Sequence, residues 1–307
     1  MTAKTYKPAR EVLKRSTELK KKKTIGKIIL LVVVFLIIVG GIIYAFYSSN
    51  FEIKEIEVSG YEVLAEDDLQ DWINQELSGN YLWVFSKRNI FLYPKRHLIQ
   101  GLLANFPRLS GVEVNLNSWN RLSVHITERD VRTVWCDSYD KLVSEVSSST
   151  SAITDWRQCF FADEKGVVFA EAPYFSDNIF VELDGLLPER PLGDQPLPLS
   201  KYQQVVRLAD NLPKVFFQTG NNHYRLKNIT LLDESNYAAL IIDQTNSSST
   251  SSTWAIYFNY ELSADELASN LFSVLNSSSF KKDFQDSDGK IYRIDLRYGQ
   301  KVFYEFK

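Results

Sequence analysis

Residues 28–51 hold no charged side chain, and most of them read "IILLVVVFLIIVGGIIYAFY". This run constrains the chain more than any other feature. At about 1.5 Å of rise per residue, roughly 20 residues in a helix cross a hydrocarbon core of about 30 Å. A secretory signal has a shorter apolar core of about 7–15 residues and small residues at its cleavage site. Here the run is long and closes on Tyr44, Ala45, Phe46 and Tyr47. A core helix of a water-soluble domain would not be apolar all round over such a length. The run therefore reads as a retained transmembrane helix, with Tyr44 and Tyr47 suited to the far interface.

The charge distribution sets an orientation. Residues 1–27 carry ten lysines and arginines against Glu11 and Glu18, about +8, leaving about −11 on the remainder of a chain with formal charge −3. Positive charge beside a span stays cytoplasmic, so residues 1–27 are expected inside and the rest outside. The same lysines would attract anionic lipid, and the two roles cannot be separated by composition. A basic tail on an acidic body argues against nucleic-acid binding by the body. Both cysteines, Cys136 and Cys159, fall in the exported part, flanking a Ser-rich stretch "SEVSSSTSA". A disulfide between them and two free buried thiols both fit.

The exported part opens with a strand pattern, "FEIKEIEV", and an amphipathic helix with Leu69, Trp72, Ile73 and Leu77 on one face. Glu66, Asp67 and Asp68 sit in its first turn, where they complement the helix dipole. A second helix after Pro94 aligns Leu98, Ile99, Leu102, Leu103 and Phe106, and Pro107 ends it. Two strands follow, "GVEVNL" with Val112, Val114 and Leu116 inward, and "RLSVHITE" with Leu122, Val124 and Ile126 inward. The order is β-α-α-β-β. His97 and His125 read as surface or edge residues.

This segment resembles a POTRA domain: "VSGY", a helix, "YLWVF", a helix ending "NFPRL", then "VEVNL" and "NRLSVHITER". More narrowly, with its basic tail and single anchor, it is similar to the membrane-proximal part of the bacterial cell-division family FtsQ/DivIB. "ITERDVRTVW" resembles that family's junction between domains, and "DEKGVVF" and "IDLRY" resemble its β-domain. The cysteine pair and Ser-rich loops depart from the commoner pattern.

From the junction on, strand patterns dominate: "VRTVWC", "CFFADEKGVVFAEAP" around a turn at Asp163 to Gly166, "NIFVEL", "YRLKNITLLD", "YAALIID", "WAIYFN" and a closing pair in "KIYRIDLRYGQKVFYEF". "GLLPERPLGDQPLPL" reads as an extended loop. "SKYQQVVRLADNLP" fits a helix capped by Ser200, and "SADELASNLFSVLNS" a helix with a Ser263 and Glu266 capping box. A second Ser/Thr cluster, "QTNSSSTSST", reads as a hairpin loop. The expected fold is α+β: a basic tail (1–27), a transmembrane helix (28–47), a POTRA-like domain (48–130) and a mixed β-sheet domain with helices on one side (131–307).

The sequence offers little chemistry. There is no phosphate-binding glycine loop, G-x-S-x-G or H-E-x-x-H. The three histidines, His97, His125 and His223, fall in separate elements, and the cysteine spacing does not suit zinc. Asp163-Glu164 and Asp286-x-Asp288 read as solvated turn carboxylates, and the sequon at Asn246 as loop composition. No catalytic, metal or cofactor residues are assigned.

The closing hairpin carries the functional expectation. With Gly299 and Gln300 in a two-residue turn, Leu296 would oppose Phe303 and Ile294 would oppose Glu305, with Tyr292, Ile294, Leu296 and Phe303 inward. The other face would set Arg293, Asp295 and Arg297 against Phe306, Tyr304 and Val302. Arginine stems covering those rings are the local alternative to an open aromatic edge. An unpaired edge with flanking aromatics suits a partner that adds a strand. The family resemblance implies the same: a non-enzymatic scaffold at the division septum that binds FtsB/FtsL-like single-pass proteins and works with other divisome membrane proteins. It assigns the partner site to Arg297, Tyr298, Lys301, Val302, Phe303, Tyr304 and Phe306. The alternatives are a POTRA-bearing envelope protein of transport or assembly, and an anchored extracytoplasmic, wall-associated enzyme.

Overall fold

The computed structural model describes residues 9–81, 85–118, 120–137, 158–173, 175, 179–244, 252–287, 289–299 and 301–307. The Ser-rich segment between the cysteines, Asn246, Asp288 and Gln300 lie outside these residues. Contacts divide the chain into two compact units, residues 1–101 with 112–126, and residues 102–111 with 127–307. Leu102 to Gly111, the end of one helix and the start of one strand, cluster with the second unit and are described below with the elements they belong to.

The first unit begins with α1 (Ala9–Tyr47), one unbroken helix that starts well before the apolar run. Its segment Thr24–Tyr44 is long and apolar enough to be a single membrane span, and none of it is buried against protein. A 3-10 turn (Ser49–Phe51) leads into β1 (Glu55–Ser59) and α2 (Glu66–Glu76), whose first turn holds Glu66, Asp67 and Asp68. A two-strand ribbon, β2 (Asn80–Tyr81) and β3 (Phe85–Ser86), precedes α3 (Lys95–Asn105). Two long strands follow, β4 (Leu109–Ser118) and β5 (Arg121–Glu128). The sheet order is β1-β5-β4, with β1 parallel to β5. Leu69, Ile73, Leu98, Leu102, Val114, Leu122, Val124 and Ile126 are buried as the periodicity predicts. Leu103 and Leu116, expected inward, are exposed. Leu103 sits at the edge of the helix stripe, and Leu116 lies near the end of β4, the outer strand of the sheet beyond β5.

The second unit is built on a nine-stranded mixed sheet. Its strands are β6 (Thr133–Asp137), β7 (Cys159–Ala162), β8 (Val168–Glu171), β9 (Val181–Gly185), β10 (Tyr224–Leu231), β11 (Asn236–Asp243), β12 (Ser252–Asn259), β13 (Ile291–Tyr298) and β14 (Lys301–Phe306). They lie in the order β14-β13-β12-β11-β10-β9-β6-β7-β8. Side chains alternate between faces with a period of two. Ile229, Ala239, Ile256, Ile294 and Tyr304 stand directly opposite one another across five strands. The first four are fully buried and share one core with α4 (Leu199–Gln218), α5 (Ala264–Asn276) and α6 (Ser278–Asp286). The opposite face carries Thr230, Ala238, Tyr257, Asp295 and Phe303 in an equally direct row.

The helix signals were partly legible. Ser263 and Glu266 form the expected capping box on α5. Helix α4 differs from expectation at both ends: it begins after Pro198 without a side-chain cap, and it runs through Pro213 to Gln218. Burial of Tyr202, Val205, Leu208, Leu212 and Phe216 holds α4 together. Tertiary packing of the apolar face outweighs the local cost of proline in a helix.

Cys136 and Cys159 are disulfide-bonded and directly opposite in the β6–β7 pair, which settles the alternative left open above. The Asp163 turn is not solvated as expected. Asp163 is 7% exposed, accepts hydrogen bonds from the backbone N–H groups of Lys165 and Val167, and pairs with Arg129. Tyr202 Oη donates to the Asp163 carbonyl at 2.7 Å. Gly166 has φ of +78°, and a Cβ there would stand 2.8 Å from the Tyr202 ring, so both conformation and space select glycine.

Candidate partner-strand interface

The register of the β13–β14 hairpin differs from the expected one. Tyr298 pairs with Lys301 as the turn predicts, and Gly299 has φ of +65°, as the first position of a type II′ turn requires. Beyond the turn, Leu296 and Arg297 together oppose Val302, so Asp295 pairs with Phe303, Ile294 with Tyr304 and Arg293 with Glu305. A second irregularity at Tyr292 brings Ile291 opposite Phe306. A bulge adds one residue to one strand, and a slip of one residue exchanges the faces. The consequence is a correction: Tyr292 and Phe303, expected in the core, are 50% and 55% exposed.

The seven residues assigned to the partner site consequently divide between two faces. Val302, Tyr304 and Phe306 turn toward the helices and pack against the core. The Phe280 ring of α6 lies 5.1 Å from Tyr304 and 5.4 Å from Phe306, and Phe284 lies 6.1 Å from Phe306. Tyr304 Oη donates to Asp283 at 2.8 Å, and that hydrogen bond to a carboxylate raises the phenol pKa. Helix α6 covers the Tyr304 and Phe306 rings, and the Arg297 guanidinium lies over Tyr298 at 5.8 Å.

Lys301, Phe303 and Tyr298 stay on the outer surface. Tyr298 meets Phe303 edge to face at 5.4 Å. Arg297 is already engaged within the chain. Its Nε and Nη2 donate to the two oxygens of Asp295 at 2.9 and 2.6 Å, and its guanidinium lies 5.1 Å from the Tyr257 ring centre. Burial alone would raise the Asp295 pKa, but the hydrogen bonds from the Arg297 side chain and backbone outweigh it and hold the carboxyl below its usual range. The same bonds raise Arg297. Arg293 pairs with Glu305 across the strands at 3.0 Å. These groups line an open concavity of about 710 Å³ that also takes in Tyr298 and Lys301. Asp295 and Tyr257, which set the position of Arg297, escaped the sequence reading because their place beside it depends on sheet order.

The backbone at this edge is the chemical resource. Among the described residues, no backbone hydrogen bond joins β14 to any strand but β13. The far edge of the sheet is treated differently. There Val168 of β8 donates to the Asp194 carbonyl at 2.9 Å and accepts from Gly193 at 2.7 Å, so the Pro-rich loop covers it.

Residues considered for chemistry have structural partners. His97 Nε2 lies 3.1 Å from Glu76, His125 Nδ1 lies 3.1 Å from Ser59 Oγ, and His223 lies 3.9 Å from Asp243. Ligand atoms of Cys136, Glu182 and Asp184 lie within 4.8 Å of one another, but the Cys136 sulfur is committed to the disulfide. The sequence matches no protein-family profile and no curated protein.

Proposed function

We propose that this protein is a single-pass, membrane-anchored scaffold that takes up a partner strand along β14. The observation that carries the reading is the contrast at the sheet ends: β8 is capped by the loop at Gly193–Asp194, whereas among the described residues nothing caps β14. An uncapped edge offers backbone donors and acceptors in register with an incoming strand, and alternate side chains give specificity. A strand added here would find Lys301, Phe303 and Glu305 on one face and the margin of α6 on the other. In this reading α1 is a retained span with residues 1–27 in the cytoplasm, and the chain after α1 is outside. The resemblance to FtsQ/DivIB proteins makes the partner an FtsB/FtsL-like single-pass protein and the place the division septum, with no catalytic role for the chain itself.

The test is Phe303→Ser in the full chain. Phe303 is half exposed on the outer face, so thermal stability should stay within about 0.5 kcal/mol of the wild type, as for other surface changes. Capture of the partner from the organism's own membranes should fall at least tenfold. Capture at the wild-type level, with β14 paired as before, would sink the proposal. Truncation after Tyr298 is the poorer test, because it removes Tyr304 and Phe306 from the Phe280 cluster and destabilises the domain.

A further inference from the structure

The segment Phe85–His97 carries Lys87, Arg88, Lys95 and Arg96 and no aspartate or glutamate, in a body that is otherwise acidic. Its most exposed large apolar side chain is Phe91, at 57%. This segment is wired directly to the end of α1. Ile90 donates to the Phe51 carbonyl at 2.9 Å, Ile53 donates to the Arg88 carbonyl at 2.8 Å, and Glu52 forms a bridge with Asn89. The Phe51 and Phe91 rings lie 5.6 Å apart.

The intervening chain is short and folded. Helix α1 ends at Tyr47, Ser48 donates back to the Tyr44 carbonyl, and Ser49–Phe51 is a 3-10 turn. At about 2 Å of rise per 3-10 residue, Phe51 is roughly 8 Å of chain from the helix end. The headgroup zone on each side of a bilayer is about 5–8 Å deep. Charges beyond it are felt over a Debye length of about 8 Å at physiological salt.

Not all the cations are equally available. Lys87 and His97 face Glu76, at 3.7 and 3.1 Å, and Arg88 donates to Asn74. Lys95 donates to the neutral side chain of Asn115, and it and Arg96 are exposed. Among the described residues neither Lys95 nor Arg96 forms an ion pair, and an exposed aromatic ring beside two such cations is the composition of a surface that sits at an anionic lipid interface.

We propose that Phe91, Lys95 and Arg96 form a second membrane contact, in which the ring enters the headgroup layer and the cations meet anionic phospholipid. This rests on α1 being a membrane span. The contact would fix the tilt of the first unit against the bilayer, which a single tether does not do.

The experiment uses the full chain in vesicles of phosphatidylcholine alone or with phosphatidylglycerol, disulfide intact. A spin label is placed at Phe91→Cys, with Val33→Cys as the hydrocarbon reference and Leu186→Cys as the aqueous one. The ratio of oxygen to water-soluble relaxer accessibility at position 91 should exceed that at 186 severalfold in anionic vesicles. It should fall by at least half when Lys95→Glu and Arg96→Glu are added. If position 91 matches position 186 in both lipids while position 33 reads as hydrocarbon, the contact is overturned and the patch is left to a soluble acidic partner. If position 33 itself reads as aqueous, the span reading fails and the contact fails with it.

Discussion

The two ends of the nine-stranded sheet are finished in different ways. At one end, β7 is joined to β6 by the Cys136–Cys159 disulfide, the Asp163 turn is locked by Arg129 and Tyr202, and a loop caps the β8 edge. At the other, among the described residues, β14 pairs with β13 alone and packs Val302, Tyr304 and Phe306 against the core on one face. Edges are normally blunted because they template association. The contrast between the two edges is what the proposed pairing along β14 rests on.

That contrast can be attacked most strongly through Phe280, which anchors the inner face of β14. Phe280→Ala should cost about 3–5 kcal/mol, the usual range for a buried phenylalanine, read from denaturant unfolding. It should also raise hydrogen exchange in Lys301–Phe306 more than in β6–β8. Uniform exchange across the sheet would break the comparison.

Removing the disulfide by Cys136→Ser with Cys159→Ser comes next. The bridge spans 23 residues of sequence, and loop-closure entropy for a ring of that size corresponds to about 3 kcal/mol. The loss should appear in the unfolding midpoint while partner capture by the folded fraction stays unchanged. Parallel loss of capture would mean that the two ends are coupled.

Gly166→Ala should cost about 2–4 kcal/mol, from the left-handed backbone and from overpacking against Tyr202. Tyr202 also supplies a pH signature. Burial pushes its phenol up to about 12. The folded pKa is above the unfolded value, so the stabilisation is complete below about pH 10 and is lost as pH rises toward 12. Tyr202→Phe should flatten that part of the alkaline unfolding curve.

The smallest effect belongs to Asp295. Its folded pKa is below the usual carboxylate value, so its contribution is present above about pH 4 and disappears as pH falls through the folded pKa. Asp295→Asn should remove that acid-side slope and free Arg297 from its fork, seen as a changed ring environment at Tyr257.

The apolar run, the basic tail, the strand and helix succession and the Ser263 cap were all legible, because each depends on residues near one another in the chain. The division of the partner residues was not. Two bulges in β13 turned Phe303 outward and Tyr304 and Phe306 inward, and nothing in the alternation of "RIDLRYGQKVFYEF" announces an extra residue. The pairing of Arg297 with Asp295 and Tyr257 needed β12 beside β13. Likewise, the charge-rich segment around Phe91 acquired a meaning only when its backbone was found bonded to the residues that leave α1. Local propensity and periodicity are written in sequence; register, sheet order and which edge stays uncovered are settled by contacts between residues far apart.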